Sequence, residues 1–208
     1  NFGSLKFKLY HKDSPINCLN FKKLANSGFY DKTLFHHSVP KFLIQGGDIL
    51  TRNHDVDDDG FGGPGWVVNA EFSDLTHSRG TLSMIRSKND PNSAGSQFFI
   101  SLSDNKKLDG KYTIIGDLIE GDHVLSRIEK IPSEYKQALL LCRIAIPDNE
   151  NPDNWIEIDD PVSGKKLFSK VPLSDDKNSY SETLKSMINN LYRPGVPIMV
   201  DSIRVYSK

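Results

Sequence analysis

The sequence predicts a mainly β fold, a barrel or sandwich of short strands carrying two helices. Three observations lead there. Apolar residues alternate with lysines from the start, short β-type runs follow between Gly, Pro, Asn and Asp, and only two stretches before residue 131 carry a helical stripe. Phe2 to Leu9 opens the fold as a strand, with Leu5, Phe7 and Leu9 on one side and Lys6 and Lys8 between them. A helix is expected from about Pro15 to Ser27. Ser14 is placed to cap it, Pro15 suits its first position, Ile16, Leu19, Leu24 and Ala25 form its stripe, and Gly28 offers a left-handed stop. Further strands are expected at Leu43 to Gln45, Thr81 to Ile85, Gln97 to Leu102 and Tyr112 to Leu118. The second helix runs from Asp122 to Lys130, with Val124, Leu125 and Ile128 facing inward.

From about Ile131 to Val196 the pattern changes to a helix at Ser133 to Arg143, a polar stretch of Asn, Asp and Pro, and a helix at Ser181 to Tyr192. This segment is an insertion or appended lobe before the last strand of a single domain spanning residues 1–208. Its acids and lysines between Asn151 and Lys185 suit an ordinary solvated surface. Ile198, Val200, Ile203 and Val205 then fit a closing strand if a bulge lies near Asp201.

Composition excludes several function classes. With 208 residues and 37% apolar content the chain can build a core. Lys plus Arg total 26 against 27 Asp plus Glu, so the basic excess that nucleic acid requires is missing. No apolar run approaches the roughly 18 residues of a membrane helix, and a soluble protein is expected. Cys18 and Cys142 are too few for a disulfide scaffold or a four-cysteine zinc site. The first residue is Asn1, and an upstream signal or tether is expected to have been removed. Compartment, client and oligomeric state stay open at this level. Gly60, Gly62 and Gly65 satisfy a dinucleotide-binding spacing, but Pro64 interrupts it and the acids upstream would repel a pyrophosphate. Asp55, Asp57, Asp59 and Gly60 match the first half of a calcium loop, yet Trp66 stands where a bidentate Glu is required.

The strongest signal lies in Phe35-His36-His37-Ser38-Val39-Pro40-Lys41-Phe42-Leu43-Ile44-Gln45-Gly46-Gly47-Asp48, in Arg79-Gly80-Thr81-Leu82-Ser83-Met84, and in Asn92-Ser93-Ala94-Gly95-Ser96-Gln97-Phe98-Phe99-Ile100 followed by Leu108-Asp109-Gly110-Lys111-Tyr112. In this order and spacing they resemble the cyclophilins, the cyclosporin-binding family of peptidyl-prolyl isomerases, over roughly residues 2–131 and the last strand. The resemblance implies an eight-stranded antiparallel barrel capped by two helices, with a proline-peptide groove on its outer surface and no cofactor. It nominates Phe42, Met84, Phe99 and Leu108 for the proline-ring pocket, with Leu43 among the substrate-binding residues. Gln45 would orient the substrate carbonyl with Gln97 nearby, the backbone at Ile85 and Arg86 would pair with the peptide, and Tyr112 would line the groove.

Where the family carries its catalytic arginine, directly after Phe-His, this chain has His37. A neutral imidazole offers one donor on a short stem, whereas a guanidinium offers several with permanent charge. Exchanging a charge-assisted bond of about 1.5–3 kcal/mol for a neutral one of about 0.5–1.5 lowers the rate roughly tenfold. A weakened isomerase is therefore expected, the alternative being a noncatalytic proline-peptide binding or scaffolding module. Protonation of His37 should raise the rate as pH falls from about 7.5 toward 6. Lys107 stands where many relatives have a tryptophan that holds cyclosporin, so only weak binding of that drug is expected. Arg86 replaces a small amide side chain and adds positive charge at the groove edge. The other histidines, His11, His36, His54, His77 and His123, are expected to be structural or exposed.

Overall fold

A computed structural model describes residues 2–53 and 55–206; His54 lies outside the described residues. The chain forms two compact units, Asn1–Ile131 with Pro197–Lys208, and Pro132–Val196. The first holds β1 (Lys6–Leu9), α1 (Pro15–Asn26), β2 (His37–Val39), β3 (Leu43–Gly46), β4 (Thr81–Met84), β5 (Phe98–Ser101), β6 (Ile114–Glu120) and α2 (Asp122–Ile128). Its six strands make one antiparallel sheet in the order β1-β6-β4-β5-β3-β2. One face of the central strands, through Ile44, Leu82, Met84, Phe98, Ile100 and Ile115, enters the main core. Phe98 stands edge-on to Phe21, Tyr30 and Phe35 at 5.5–6.0 Å, an aromatic knot between α1 and the sheet.

The start of α1 differs from expectation. Ser14 is completely buried, and its hydroxyl donates to the Ile114 carbonyl of β6 at 2.8 Å instead of capping. The Glu71 carboxylate accepts the amides of Ile16 and Asn17 at 3.0 and 2.8 Å, placing negative charge where the helix dipole favours it. The stripe is also rotated. Ile16 and Leu19 are exposed, and Cys18, Phe21, Leu24 and Ala25 face the core, flanked by the buried amides Asn17 and Asn20. Those amides donate to the Asn69 and Gly95 carbonyls, and Asn20 Oδ1 accepts from Trp66 Nε1, whereas Asn17 Oδ1 is buried without a hydrogen-bond partner among the described residues. Gly28, at φ +77°, ends the helix, with the Phe29 amide reaching Leu24 and the Gly28 amide reaching Ala25.

The expected closing strand at Ile198–Tyr206 is reduced to an isolated bridge and its flanking backbone bonds. Met199 bridges Leu34, and backbone bonds join Ile198 and Val200 to Phe35, Thr33 and Lys32. Past Asp201 the chain leaves this ladder: the Val205 amide and carbonyl both bond the Asn26 side chain of α1. Ile203 and Val205 still pack against the core, so their alternation reports burial and not strand pairing.

The second unit contains α3 (Glu134–Leu141), β7 (Cys142–Arg143), β8 (Trp155–Asp159), β9 (Lys166–Lys170) and α4 (Lys177–Asn189), its sheet ordered β7-β9-β8. Ser133 and Asp176 cap the two helices through the Lys136 and Ser179 amides. Thus α4 starts at Lys177, earlier than the predicted Ser181. Ile156, Ile158 and Leu167 pack against Ala138, Leu184 and Ile188. The β8–β9 hairpin lies in the stretch expected to be polar surface. Asp160 holds its turn, accepting from Ser163 Oγ, the Val162 amide and Tyr135 OH, and these bonds keep its carboxyl below the usual range.

Candidate active site

Sheet register builds the site. His37 of β2 lies opposite Gln45 of β3, Gln45 opposite Phe99 of β5, and Phe99 opposite Ser83 of β4. Directly paired residues share a face, so these four form one row across the sheet. Leu43, two residues from Gln45, lies in the next row on the same face, paired with Val39. Met84 does not belong there. It is two residues from Leu82, fully buried in the main core, and this corrects its assignment to the ring pocket.

Phe99 is only 1% exposed and is braced from two sides. The Tyr112 ring meets it edge-on at 5.4 Å, and the His77 imidazole stacks on it at 5.8 Å. His77 is itself held at both nitrogens, by Asp109 Oδ1 at 2.8 Å and Ser83 Oγ at 3.1 Å. Bonds from the His77 amide and ring lower the Asp109 carboxyl below its ordinary range. His77, expected to be structural or exposed, is buried beside the site; its link to Asp109 spans 32 residues and carries no local signal.

Beside the row lies a groove of about 660 Å³ lined by Gln45, Gln97, Ile85, Arg86 and the 60–67 loop. Gln45 Nε2 donates to Gln97 Oε1 at 2.8 Å, and Gln97 Nε2 donates to the carbonyls of Gly60 and Gly62 at 2.8 and 2.9 Å. Asp48, completely buried, accepts the amides of Leu50, Gly60 and Gly62. The glycine spacing set aside as a nucleotide motif is therefore a groove wall. A Cβ on Gly62 would stand 2.0 Å from Asp48 Oδ1, so only glycine lets that loop lie on the carboxylate.

The remaining candidates occupy the rim. The Ile85 amide donates to the Gln97 carbonyl at 2.9 Å, so this N–H of the expected peptide-pairing segment is already used. Phe42 is half-buried in the turn before β3, and Leu108 and Tyr112 are half-buried near the exposed Lys107. His37 is half-buried, and desolvation lowers its pKa below 6.5. The neutral imidazole is thereby favoured at pH 7, and its titration moves toward the acid side of the expected window. In the acidic turn, Asp55 accepts the Asp57 amide and Asp58 the Asn53 amide group. Among the described residues no three His, Cys, Asp or Glu gather as a metal site, and no helix is long and apolar enough to cross a membrane.

Three comparisons match this geometry. A family model described as "Cyclophilin type peptidyl-prolyl cis-trans isomerase/CLD" matches residues 1–146. A peptidyl-prolyl cis-trans isomerase of Acinetobacter baylyi is 36% identical over 138 residues, 64% of this chain and 70% of the relative. A mouse protein named "Probable inactive peptidyl-prolyl cis-trans isomerase-like 6" is 40% identical over 153 residues, 69% of this chain, which spans about half (48%) of that relative. The crystal structure of a Cryptosporidium parvum cyclophilin-type isomerase, determined in the presence of the dipeptide Ala-Pro, superposes with a TM-score of 0.66 at 29% identity, covering 100% of this chain and 96% of that one. Motif order, sheet register and the family match over most of the sequence agree: the chain belongs to the cyclophilin-type peptidyl-prolyl cis-trans isomerase family.

Proposed function

We propose that this chain catalyses cis–trans isomerisation of X-Pro bonds in peptides and folding client proteins, on the outer face of an eight-stranded cyclophilin barrel. The observation that carries this reading is the row of His37, Gln45 and Phe99 across three paired strands. Rotation about the prolyl amide breaks C–N resonance against a barrier of roughly 18–20 kcal/mol, and no bond is cleaved. The catalyst needs a socket for the ring and a donor for the prolyl nitrogen, whose lone pair is available only in the twisted state. Phe42, Leu43, Phe99, Leu108 and Tyr112 supply the socket, Gln45 and Gln97 hold the carbonyl side, and Ile85 and Arg86 border the extended peptide. His37 supplies the donor. The chemistry needs no cofactor. Lys107, lacking an indole, weakens cyclosporin binding.

The test is a line-shape exchange experiment on an Ala-Pro-Phe peptide. Accelerated isomerisation supports the enzyme; saturable binding without acceleration supports the second reading, a noncatalytic module. That second reading is favoured by the single neutral donor of His37 and by the inactive designation of the mouse relative. The pH profile is a separate prediction. Because desolvation lowers the His37 pKa below 6.5, the rate rises on acidification with a midpoint below pH 6.5, and His37→Ala abolishes the rise. A midpoint above 6.5 would assign the titration to another group. Stability moves the other way. The unfolded chain binds the proton first, so the contribution of the neutral buried imidazole is complete above about 6.5 and declines as pH falls toward the folded pKa.

A further inference from the structure

Arg86 is immobilised on the groove without an acidic partner. Its Nε donates to the Lys111 carbonyl at 3.1 Å, and its Nη1 donates to the Ser87 and Lys88 carbonyls at 2.9 Å each. The guanidinium also lies 4.9 Å from the centre of the Tyr112 ring. Among the described residues no carboxylate pairs with it, and these bonds leave the Nη2 donors unused. Arg79 and Arg204, by contrast, end on carboxylates, Asp122 with Glu129 and Asp31. A guanidinium held by three carbonyls and a ring has already lost its rotamer freedom and keeps its full charge, which is the preorganisation an anion site requires.

The surroundings add to the field. Lys88, Lys107 and Lys111 are exposed on the same rim. The nearby acids are engaged locally, Asp109 by His77 and Asp90 by the Asn92 amide. Among the described residues the groove lining contains no Asp or Glu, and Arg86 is its one charged side chain. Arg86 also stands close to the proposed chemistry. Two ring contacts, 4.9 Å to Tyr112 and 5.4 Å onward to Phe99, separate it from the socket floor. That separation is spanned by about three extended residues at ~3.3 Å each.

We propose that Arg86 is a specificity-determining residue that selects substrates bearing a carboxylate or phosphate within about three residues of the target proline. This inference rests on the isomerase reading and names its substrate class. The test measures kcat/KM by exchange on Ala-Pro-Phe-based peptides carrying Glu, Lys or phosphoserine at each of three positions on either side of the proline. At one or more positions Glu is expected to exceed Lys by about tenfold, the scale of one charge-assisted hydrogen bond. The ratio should shrink severalfold in 0.5 M salt, as a partly exposed pair requires. Arg86→Gln is expected to bring the ratio within about twofold, while Arg86→Lys retains part of it. Phosphoserine exceeding Glu identifies phosphate as the preferred source, and the reverse order identifies carboxylate. Parity of Glu and Lys at every position, or a preference untouched by Arg86→Gln, overturns the proposal even if all peptides are isomerised. Absence of both binding and acceleration overturns the isomerase reading with it. A wild-type ratio near one overturns the proposal even if the variants fold poorly, and a Glu preference is assigned to Arg86 by its loss in folded Arg86→Gln.

Discussion

Phe99→Ala is expected to destabilise the protein by about 3–5 kcal/mol and to lower kcat/KM on an Ala-Pro-Phe peptide about a hundredfold. The ring is nearly inaccessible, wedged between His77 and Tyr112, so its removal opens a cavity that neighbours fixed by hydrogen bonds fill poorly. The catalytic loss has a separate origin. A proline ring without its floor forfeits about 2–3 kcal/mol of apolar burial. Thermal unfolding reports the first effect, and exchange kinetics on the folded fraction report the second. Full activity in folded Phe99→Ala would move the ring socket elsewhere.

Asp48→Ala is expected to cost about 3–5 kcal/mol and lower Tm by roughly 10 °C. Its carboxylate is completely buried and receives three backbone amides, from Leu50, Gly60 and Gly62, which the alanine leaves without their acceptor. The damage reaches the site through the loop carbonyls of Gly60 and Gly62. Both bond Gln97, which in turn fixes Gln45. Isomerase activity should therefore fall along with Tm, although Asp48 contacts no substrate in this account. A loss under about 1 kcal/mol would mean that the amides find water, and that the loop does not depend on the carboxylate.

Much of this was legible in the residue pattern because burial there follows a period. The alternation of Phe7 and Leu9 marked β1, and the Gln45 and Phe99 motifs marked the strands that carry the row. Thr81 to Met84 hid its faces. All four residues are buried, so no polar alternation reveals that Met84 points into the core and Ser83 toward His77. In β8 and β9, charges such as Glu157 and Lys166 lie on the exposed face of a real hairpin, where composition resembles a loop. The Arg86 clamp was unreadable for another reason. It is built from backbone carbonyls of Ser87, Lys88 and Lys111, groups every residue has, and only the fold decides where they converge.

The most direct measurement compares isomerisation of an Ala-Pro-Phe peptide by wild type, His37→Ala and His37→Arg at pH 7.5, with peptide affinity recorded alongside. If the imidazole is the donor to the prolyl nitrogen, the rate falls about tenfold in the alanine variant and rises about tenfold in the arginine variant, while affinity changes little. Equal rates in all three proteins would contradict that assignment and leave the row of His37, Gln45 and Phe99 as a binding surface alone.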